Sequence, residues 1–287
     1  MKRILLFAAA IAGLISAASC QQENLEPIAK ANKVTYTVQV ADAVATKAIG
    51  DDITAVNELV YEVYRTERDS VVTFTDKDNL LYHNTAEIVN GVATIELEFV
   101  NDQNFTVLFW AHVAGNKVYD VDDLTKVTIA SPDVANNVNA QAFVGRDFVR
   151  DCVSDAQGKV TLHRPVSQLN IGTTKASLTG SPVPFQDPIV LNGSTVKVTG
   201  LATTFDIAQM CATGDPATEY TYTGQTVPEG DLKVANVDYA YVAMNYVGFA
   251  PEMGISDVTV SYVINTSEGN ISNEILNVPL IIPALMK

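Results

Sequence analysis

The residue types that perform chemistry in enzymes are few in this chain and lie far apart in the sequence. The histidines are His83, His112 and His163, and none has a neighbour at the spacing of a metal-binding or nucleophile-activating motif. His112 alternates with Trp110 in an apolar run, which favours a strand histidine with a local hydrogen bond over a catalytic base. We expect Trp110 in the core. The sequence therefore predicts no catalytic residue, no enzyme activity and no cofactor.

Three aspartates form the only acidic cluster in the sequence that resembles a metal-binding site. Asp120, Asp122 and Asp123 lie within Tyr119–Leu124, and their oxygens suit a hard cation. The segment lacks the glycine and the glutamate that an EF-hand loop carries at its sixth and twelfth positions. We favour a solvated turn or the start of a helix, and we predict no metal site.

Two cysteines of the mature chain, Cys152 and Cys211, can pair outside the cytoplasm. Their spacing alone does not establish the geometry that a disulfide requires. A disulfide and two separate thiols stay alternatives.

Tyrosine is the commonest aromatic residue, with 11 copies. Exposed tyrosines on neighbouring strands can bind glycans or partner proteins, whereas half-buried ones seal the margin of a β-sandwich. We favour the second interpretation. The tyrosines that alternate within predicted strands are Tyr61, Tyr64, Tyr220, Tyr222, Tyr239, Tyr241, Tyr246 and Tyr262.

The first twenty residues have the pattern of an export leader. Lys2 and Arg3 precede the apolar run Ile4–Ile15, which is too short to span a bilayer comfortably. Small residues then lead to Cys20, an arrangement that resembles a bacterial lipobox, in which the cysteine is acylated. We predict a signal peptide over residues 1–19 and lipidation of Cys20, with ordinary cleavage after Ala18 as the alternative.

Residues 20–31 then form a flexible, acidic-polar tether. Two or three acyl chains on the cysteine would hold the protein stably on a lipid bilayer, where a single chain would not.

The composition narrows the function classes for the rest of the chain. Of 287 residues, 47% are hydrophobic, which is enough to build a sizeable core. The formal net charge is −15, so the chain lacks the clustered cations that nucleic acid or an anionic membrane surface would require. We predict no nucleic-acid partner.

Period-two alternation dominates the remaining sequence and predicts an all-β fold. Val34, Tyr36, Val38 and Val40 project to one side of a first strand, which gives a regular apolar comb. The segment Asn104–Val113 is apolar on both faces, as expected of a central strand.

Turn residues separate these strands. The predicted turns are Asn90-Gly91, Gly115-Asn116, Asn192-Gly193, Glu229-Gly230 and Glu268-Gly269. The segment Pro132–Phe143 is the best candidate for a short helix or turn. A Gly/Ala/Pro-rich stretch at Cys211–Thr218 suggests a boundary, so we predict sandwich domains over residues 32–210 and 211–287.

Taken together, the leader and several segments resemble the fimbrillin-like lipoproteins of Bacteroides-type bacteria, which include the subunits of type V pili, and more narrowly a subgroup catalogued as a domain of unknown function. The resemblance covers most of the chain. The segments that carry it are Cys20 with its acidic tether, Ala45-Thr46-Lys47-Ala48 before Gly50-Asp51-Asp52, Asn104–Val113, Gln141–Gly145 and Val160–Ile171.

This resemblance implies two transthyretin-like β-sandwich domains with Greek-key-type connections, lipid-anchored in the outer membrane and exposed at the cell surface or in a fimbrium. It implies cutting after Lys47, at a position where the family more often has arginine. Loss of the first strand, with Val34, Tyr36, Val38 and Val40, would open a groove for a strand of another fimbrial subunit. A permanent first strand is the alternative.

Two further expectations concern the end of the chain and its partners. The segment Val278–Lys287, with Pro279 and Pro283, differs from the longer C-terminal strand region of the family, so we expect a truncated or altered end. A monomeric surface lipoprotein that binds a glycan or a host protein is the second functional hypothesis.

Overall fold

A computed structural model describes most of the chain after residue 30. The described residues are 31–40, 55–66, 77–100, 103–130, 138–150, 156–174, 189–214, 219–225, 231–234, 237–249 and 258–278. The segment Ala31–Lys287 forms one compact unit.

The fold is all-β, as the period-two alternation predicted. Helical structure among the described residues is confined to short 3-10 turns such as Lys77–Asn79 and Val138–Ala140. The strands are β1 Ala31–Val40, β2 Glu58–Thr66, β3 Leu80–Glu87, β4 Val92–Val100, β5 Asn104–His112, β6 Tyr119–Asp120, β7 Val127–Ile129, β8 Ala142–Val149, β9 Ala156–Leu162, β10 Ser167–Thr174, β11 Leu191–Thr199, β12 Thr204–Asp206, β13 Cys211–Thr213, β14 Tyr220–Gln225, β15 Asp231–Val234, β16 Val237–Val247, β17 Val258–Thr266 and β18 Gly269–Val278.

Two facing sheets, with strand orders β4-β1-β9 and β3-β2-β5-β8, enclose a buried apolar cluster. We call this pair of sheets the first sandwich. A tight turn at Asn90-Gly91 leads from β3 into β4, and both residues have positive φ, at 52° and 77°. Val89 and Val92 pair across this turn, whereas β3 and β4 belong to different sheets. The turn predicted at this Asn-Gly pair is thus confirmed.

The sheet β3-β2-β5-β8 is covered on both faces, and this explains the sequence of β5. Phe105, Val107 and Phe109 face the core of the first sandwich, whereas Leu108 and Trp110 face a second apolar cluster. Every residue of β5 is buried. The prediction of a central strand with two apolar faces is confirmed, as is the core position of Trp110.

Residues of three further sheets contribute to the second cluster. The small sheet β13-β12-β7-β6 packs residues such as Leu124, Val127 and Phe205 into it. The sheets β10-β16-β15 and β14-β11-β17-β18 form the rest of the described fold. Val196, from β11, and Tyr246, from β16, share the same cluster.

The predicted boundary between residues 210 and 211 falls within a hairpin. Asp206 of β12 pairs with Cys211 of β13 across this position. Strand β10, which precedes the boundary, pairs with β16, which follows it. The division into domains at this boundary stays a prediction.

The segment in which a short helix or turn was predicted, Pro132–Phe143, contains the 3-10 turn Val138–Ala140 before β8 begins at Ala142. Among the residues that the structure describes, no helix is both long enough and apolar enough to cross a membrane.

Candidate functional site

The first strand occupies the centre of its sheet. β1 pairs antiparallel with β4, where Tyr36 lies opposite Ile95, and parallel with β9, where Tyr36 lies opposite Gly158. Removal of β1 would therefore leave unpaired backbone N–H and C=O groups on both neighbours. We call the space between β4 and β9 that β1 fills the β1 slot.

The side chains of β1 alternate as the sequence predicted. Val34, Tyr36, Val38 and Val40 are all buried, at most 3% exposed, whereas the residues between them are half-buried. Burial of such an apolar side chain contributes about 1.5–3 kcal/mol. A strand that replaces β1 must therefore bring a similar set of apolar side chains.

Tyr36 reaches deepest into the β1 slot. Its ring lies 5.8 Å from the ring of Phe109 between centroids, on the facing sheet. Its hydroxyl donates a hydrogen bond of 3.0 Å to Oδ2 of Asp147, on β8. Tyr36 is fully buried although it carries a polar group, and Asp147 supplies the acceptor that this burial requires.

Gly158, on β9, makes room for the ring of Tyr36. A Cβ at this glycine would lie 2.3 Å from two carbon atoms of the ring. Such a contact is far inside van der Waals distance, so a side chain at position 158 and the observed position of Tyr36 exclude each other. Sequence reasoning missed both Gly158 and Asp147. The only local signal was an isolated glycine within a strand, which marks close approach of another group.

A separate polar cluster surrounds Glu62, which is 1% exposed. The hydroxyl of Tyr64 and the backbone N–H of Leu124 donate to Oε2 of Glu62, at 2.7 and 3.1 Å. Nδ1 of His83 lies 2.8 Å from Oε1. Burial raises the pKa of Tyr64, and its bond to Glu62 raises it further. Through these contacts the two oxygens of the buried carboxylate join β2 to β3 and to the loop between β6 and β7.

His112 has the local partner that the sequence analysis favoured. It is buried, and its Nε2 lies 2.8 Å from Oε2 of Glu58, the residue directly opposite on β2. Trp110 packs its ring edge-on against Tyr119 with centroids 5.0 Å apart. These contacts are those of a packed strand.

The three aspartates lie at the end of β6 and in the turn that follows it, and two of them accept local hydrogen bonds. Asp120 accepts from the backbone N–H of Asp122, and Asp123 accepts from both the N–H and the hydroxyl of Thr125. The favoured interpretation of a solvated turn agrees with this geometry. No group of three His, Cys, Asp or Glu side chains with the arrangement of a metal site occurs in the described part of the chain.

Most of the tyrosines singled out in the sequence lie inside the protein. Two of them, Tyr239 and Tyr262, are half-buried. The buried ones are Tyr61, Tyr64, Tyr220, Tyr222, Tyr241 and Tyr246.

Several predicted site residues fall where the structure gives no description. Cys20, Lys47 and Cys152 lie outside the described residues, so lipidation, processing and the disulfide stay predictions. Cys211 lies at the start of β13 and is exposed.

The sequence matches the model of a protein family over residues 26–281. That family is described as one of unknown function, DUF6562. A comparison with curated proteins finds no match.

Two solved structures that are similar to this chain come from Bacteroides thetaiotaomicron and Porphyromonas gingivalis. A candidate adhesin from Bacteroides thetaiotaomicron is similar over 88% of this chain and 81% of its own, with 13% identity and a TM-score of 0.50. The fimbrial anchor protein Mfa2 from Porphyromonas gingivalis is similar over 81% and 78%, with 12% identity and a TM-score of 0.43. The adhesin, at this identity, establishes a shared fold.

The hydrogen bond between Tyr36 and Asp147 can be tested in the intact chain. Tyr36→Phe should lower the free energy of unfolding by about 1 kcal/mol, because it leaves the carboxylate without its donor. In an Asp147→Ala background the same substitution should have little effect. Tyr82→Phe, at a tyrosine that is 38% exposed, is the matched control and should be neutral. Urea denaturation measures each value, and an equal loss in both backgrounds would contradict the bond.

The thiol of Cys211 should react slowly. Partial burial raises its pKa, Asp206 raises it further, and Arg146 lowers it. A raised pKa leaves less thiolate at a given pH. In a chain with Cys20→Ser and Cys152→Ser, iodoacetamide at pH 8 should label Cys211 more slowly than a free cysteine peptide, as followed by intact mass. Asp206→Asn should speed the labelling and Arg146→Gln should slow it, and the reverse order would show that these charges do not control the thiol.

Proposed function

The chain belongs to the DUF6562 family. From the fold that it shares with a candidate adhesin and from the β1 slot, we propose that it is a structural or accessory subunit of a bacterial fimbria. It joins its neighbours by β-strand addition after proteolytic removal of β1. The observation that carries the proposal is the position of β1, a buried central strand that lies at the N-terminal end of the folded unit.

A single cut is enough to release this strand from the folded unit. Residues before Ala31 lie outside that unit, so β1 is joined to it covalently only through the segment after Val40. Lys47 lies seven positions beyond Val40 in the sequence. Cleavage after Lys47 would leave β1 bound only by its hydrogen bonds and its apolar side chains.

The empty β1 slot would bind an extended strand in one direction. The incoming strand must run antiparallel to β4 and parallel to β9 to restore both ladders. Backbone hydrogen bonds then provide affinity whatever the sequence of the incoming strand, and its alternate side chains, which enter the slot, provide specificity. Exposed strand edges aggregate. The incoming strand should therefore bind as soon as β1 leaves, so that the edges of β4 and β9 do not stay unpaired.

Attachment to the cell fits the same proposal. Acylated Cys20 would hold the precursor in the outer membrane, and residues 20–31 would keep the folded unit clear of the bilayer. The net charge of −15 keeps subunits apart in solution and opposes unspecific association. We propose no enzymatic activity.

The alternative function, a monomeric lipoprotein that binds a glycan or a host ligand, has one supporting feature. A shallow cleft crosses β11, β17 and β18, and its lining combines Tyr262 and Val263 with the polar residues Lys197, Ser261, Ser272 and Glu274. Hydroxyl groups of this kind suit a sugar. Saturable glycan binding by a protein that forms no oligomers, lost in Ser272→Ala, would favour this alternative.

Processing at Lys47 provides the test of the fimbrial role. Lys47→Ala should block cleavage and abolish the ladder of higher-order species from outer membranes, because a protease with basic specificity needs the cation. Lys47→Arg is the matched control and should be processed normally. Immunoblots and N-terminal sequencing of the surface material measure both outcomes, and processed polymer in the Lys47→Ala strain would contradict this role for Lys47.

A further inference from the structure

We propose that the β1 slot selects its incoming strand through a tyrosine notch, a subsite formed by Gly158, Asp147 and Phe109. The incoming strand must place a tyrosine opposite Gly158, with a branched aliphatic residue two positions away on each side. This inference rests on the proposed strand addition and specifies the partner that the β1 slot accepts.

The notch exists because position 158 has no side chain. A Cβ at this position would lie 2.3 Å from two carbon atoms of the Tyr36 ring. The φ of Gly158 lies outside the left-handed region, unlike that of Gly91 or Gly115. The backbone conformation therefore does not require glycine here, and the space that the glycine leaves is filled by the aromatic ring.

The depth of the notch suits a phenol. Asp147, half-buried on the facing sheet, accepts the hydroxyl at 3.0 Å. Phenylalanine would fill the same space but leave this carboxylate without its donor, which costs more than the bond itself contributes. Valine or alanine would leave a cavity above Phe109 in addition.

The notch also determines the register of the incoming strand. A slip of two residues keeps the same side chains facing the core but moves the tyrosine from Gly158 to Ala156 or Val160, the next positions on that face of β9. Neither of these residues is a glycine, whereas Gly158 accommodates the ring because it has no Cβ. Backbone pairing alone permits such slips, so the tyrosine provides the register that the hydrogen bonds do not.

A second copy of this chain does not present a suitable strand at a free edge. Of the 11 tyrosines, those with Val, Leu or Ile two positions away on both sides are Tyr36, Tyr61 and Tyr262. Tyr61 lies on β2, between β3 and β5, and Tyr262 lies on β17, between β11 and β18. These two strands are therefore paired on both sides and are not available to fill the β1 slot of another copy.

Competition between strands tests the notch in the full chain. A site-specific protease sequence is inserted between residues 40 and 55 of a chain with Cys20→Ser, which is then cut. The cut chain is unfolded in urea and refolded with an equimolar fluorescent peptide of residues 31–40, so that the peptide competes with the released β1. The native peptide should occupy about half of the slots.

Variant peptides measure the selection. Tyr36→Phe should lower the affinity about tenfold, through loss of the hydrogen bond. Tyr36→Val should lower it by about 100-fold or more, because a cavity replaces the ring. Thr37→Ala, at a half-buried position on the outer side of the strand, is the matched control and should change it less than about threefold.

A size exchange provides a second readout. With Gly158→Ala in the protein, the native peptide should lose its advantage over the variants. The peptide with Tyr36→Val should then bind at least as well as the native peptide, because the added Cβ occupies the space of the tyrosine ring. Equal binding of all four peptides to the unaltered chain would overturn the notch and leave strand addition in place. Refolding with the native peptide excluded from the slot would overturn strand addition and the notch together.

Discussion

The strand nearest the N-terminus lies at the centre of its sheet, and the first sandwich is organised around this placement. β1 forms a ladder on each side and covers a large part of the core, yet a single covalent connection joins it to the rest of the folded unit. A strand at an edge would expose little when lost, whereas loss of a central strand opens two ladders and a row of apolar positions. The same placement is the basis of the proposed exchange of β1 for a strand of another subunit.

The facing sheet has a different construction, which suits a permanent support. All nine residues of β5 are buried because apolar clusters cover both faces of the sheet. The buried carboxylate of Glu62 joins β2 to β3 and to the loop at Leu124. A sheet that is packed on both faces keeps the packing on one face when the strands that cover the other face are replaced. The floor of the β1 slot, including Phe109 and Asp147, would therefore keep its support on the other face if the strand above it were replaced.

Local patterns in the sequence predicted the strands but not the notch. The comb of β1, the two apolar faces of β5 and the turn at Asn90-Gly91 follow from residues close together in the chain. The contact between Tyr36 and Asp147 joins residues 111 positions apart, and the fit of Tyr36 against Gly158 depends on a parallel pairing that no local pattern indicates. The isolated glycine in β9 and the isolated charge at Glu62 in β2 were the signals available, since each breaks an apolar or β-branched pattern.

A structure of the assembled material, purified from outer membranes, tests the central claim most directly. Electron cryomicroscopy at side-chain resolution would show which polypeptide lies between β4 and β9. We expect a strand of another subunit there, in the direction of β1 and with its backbone paired to both neighbours. Continuous density from residue 31 through residue 55 of the same chain, with β1 still in place in every assembled subunit, would contradict the claim.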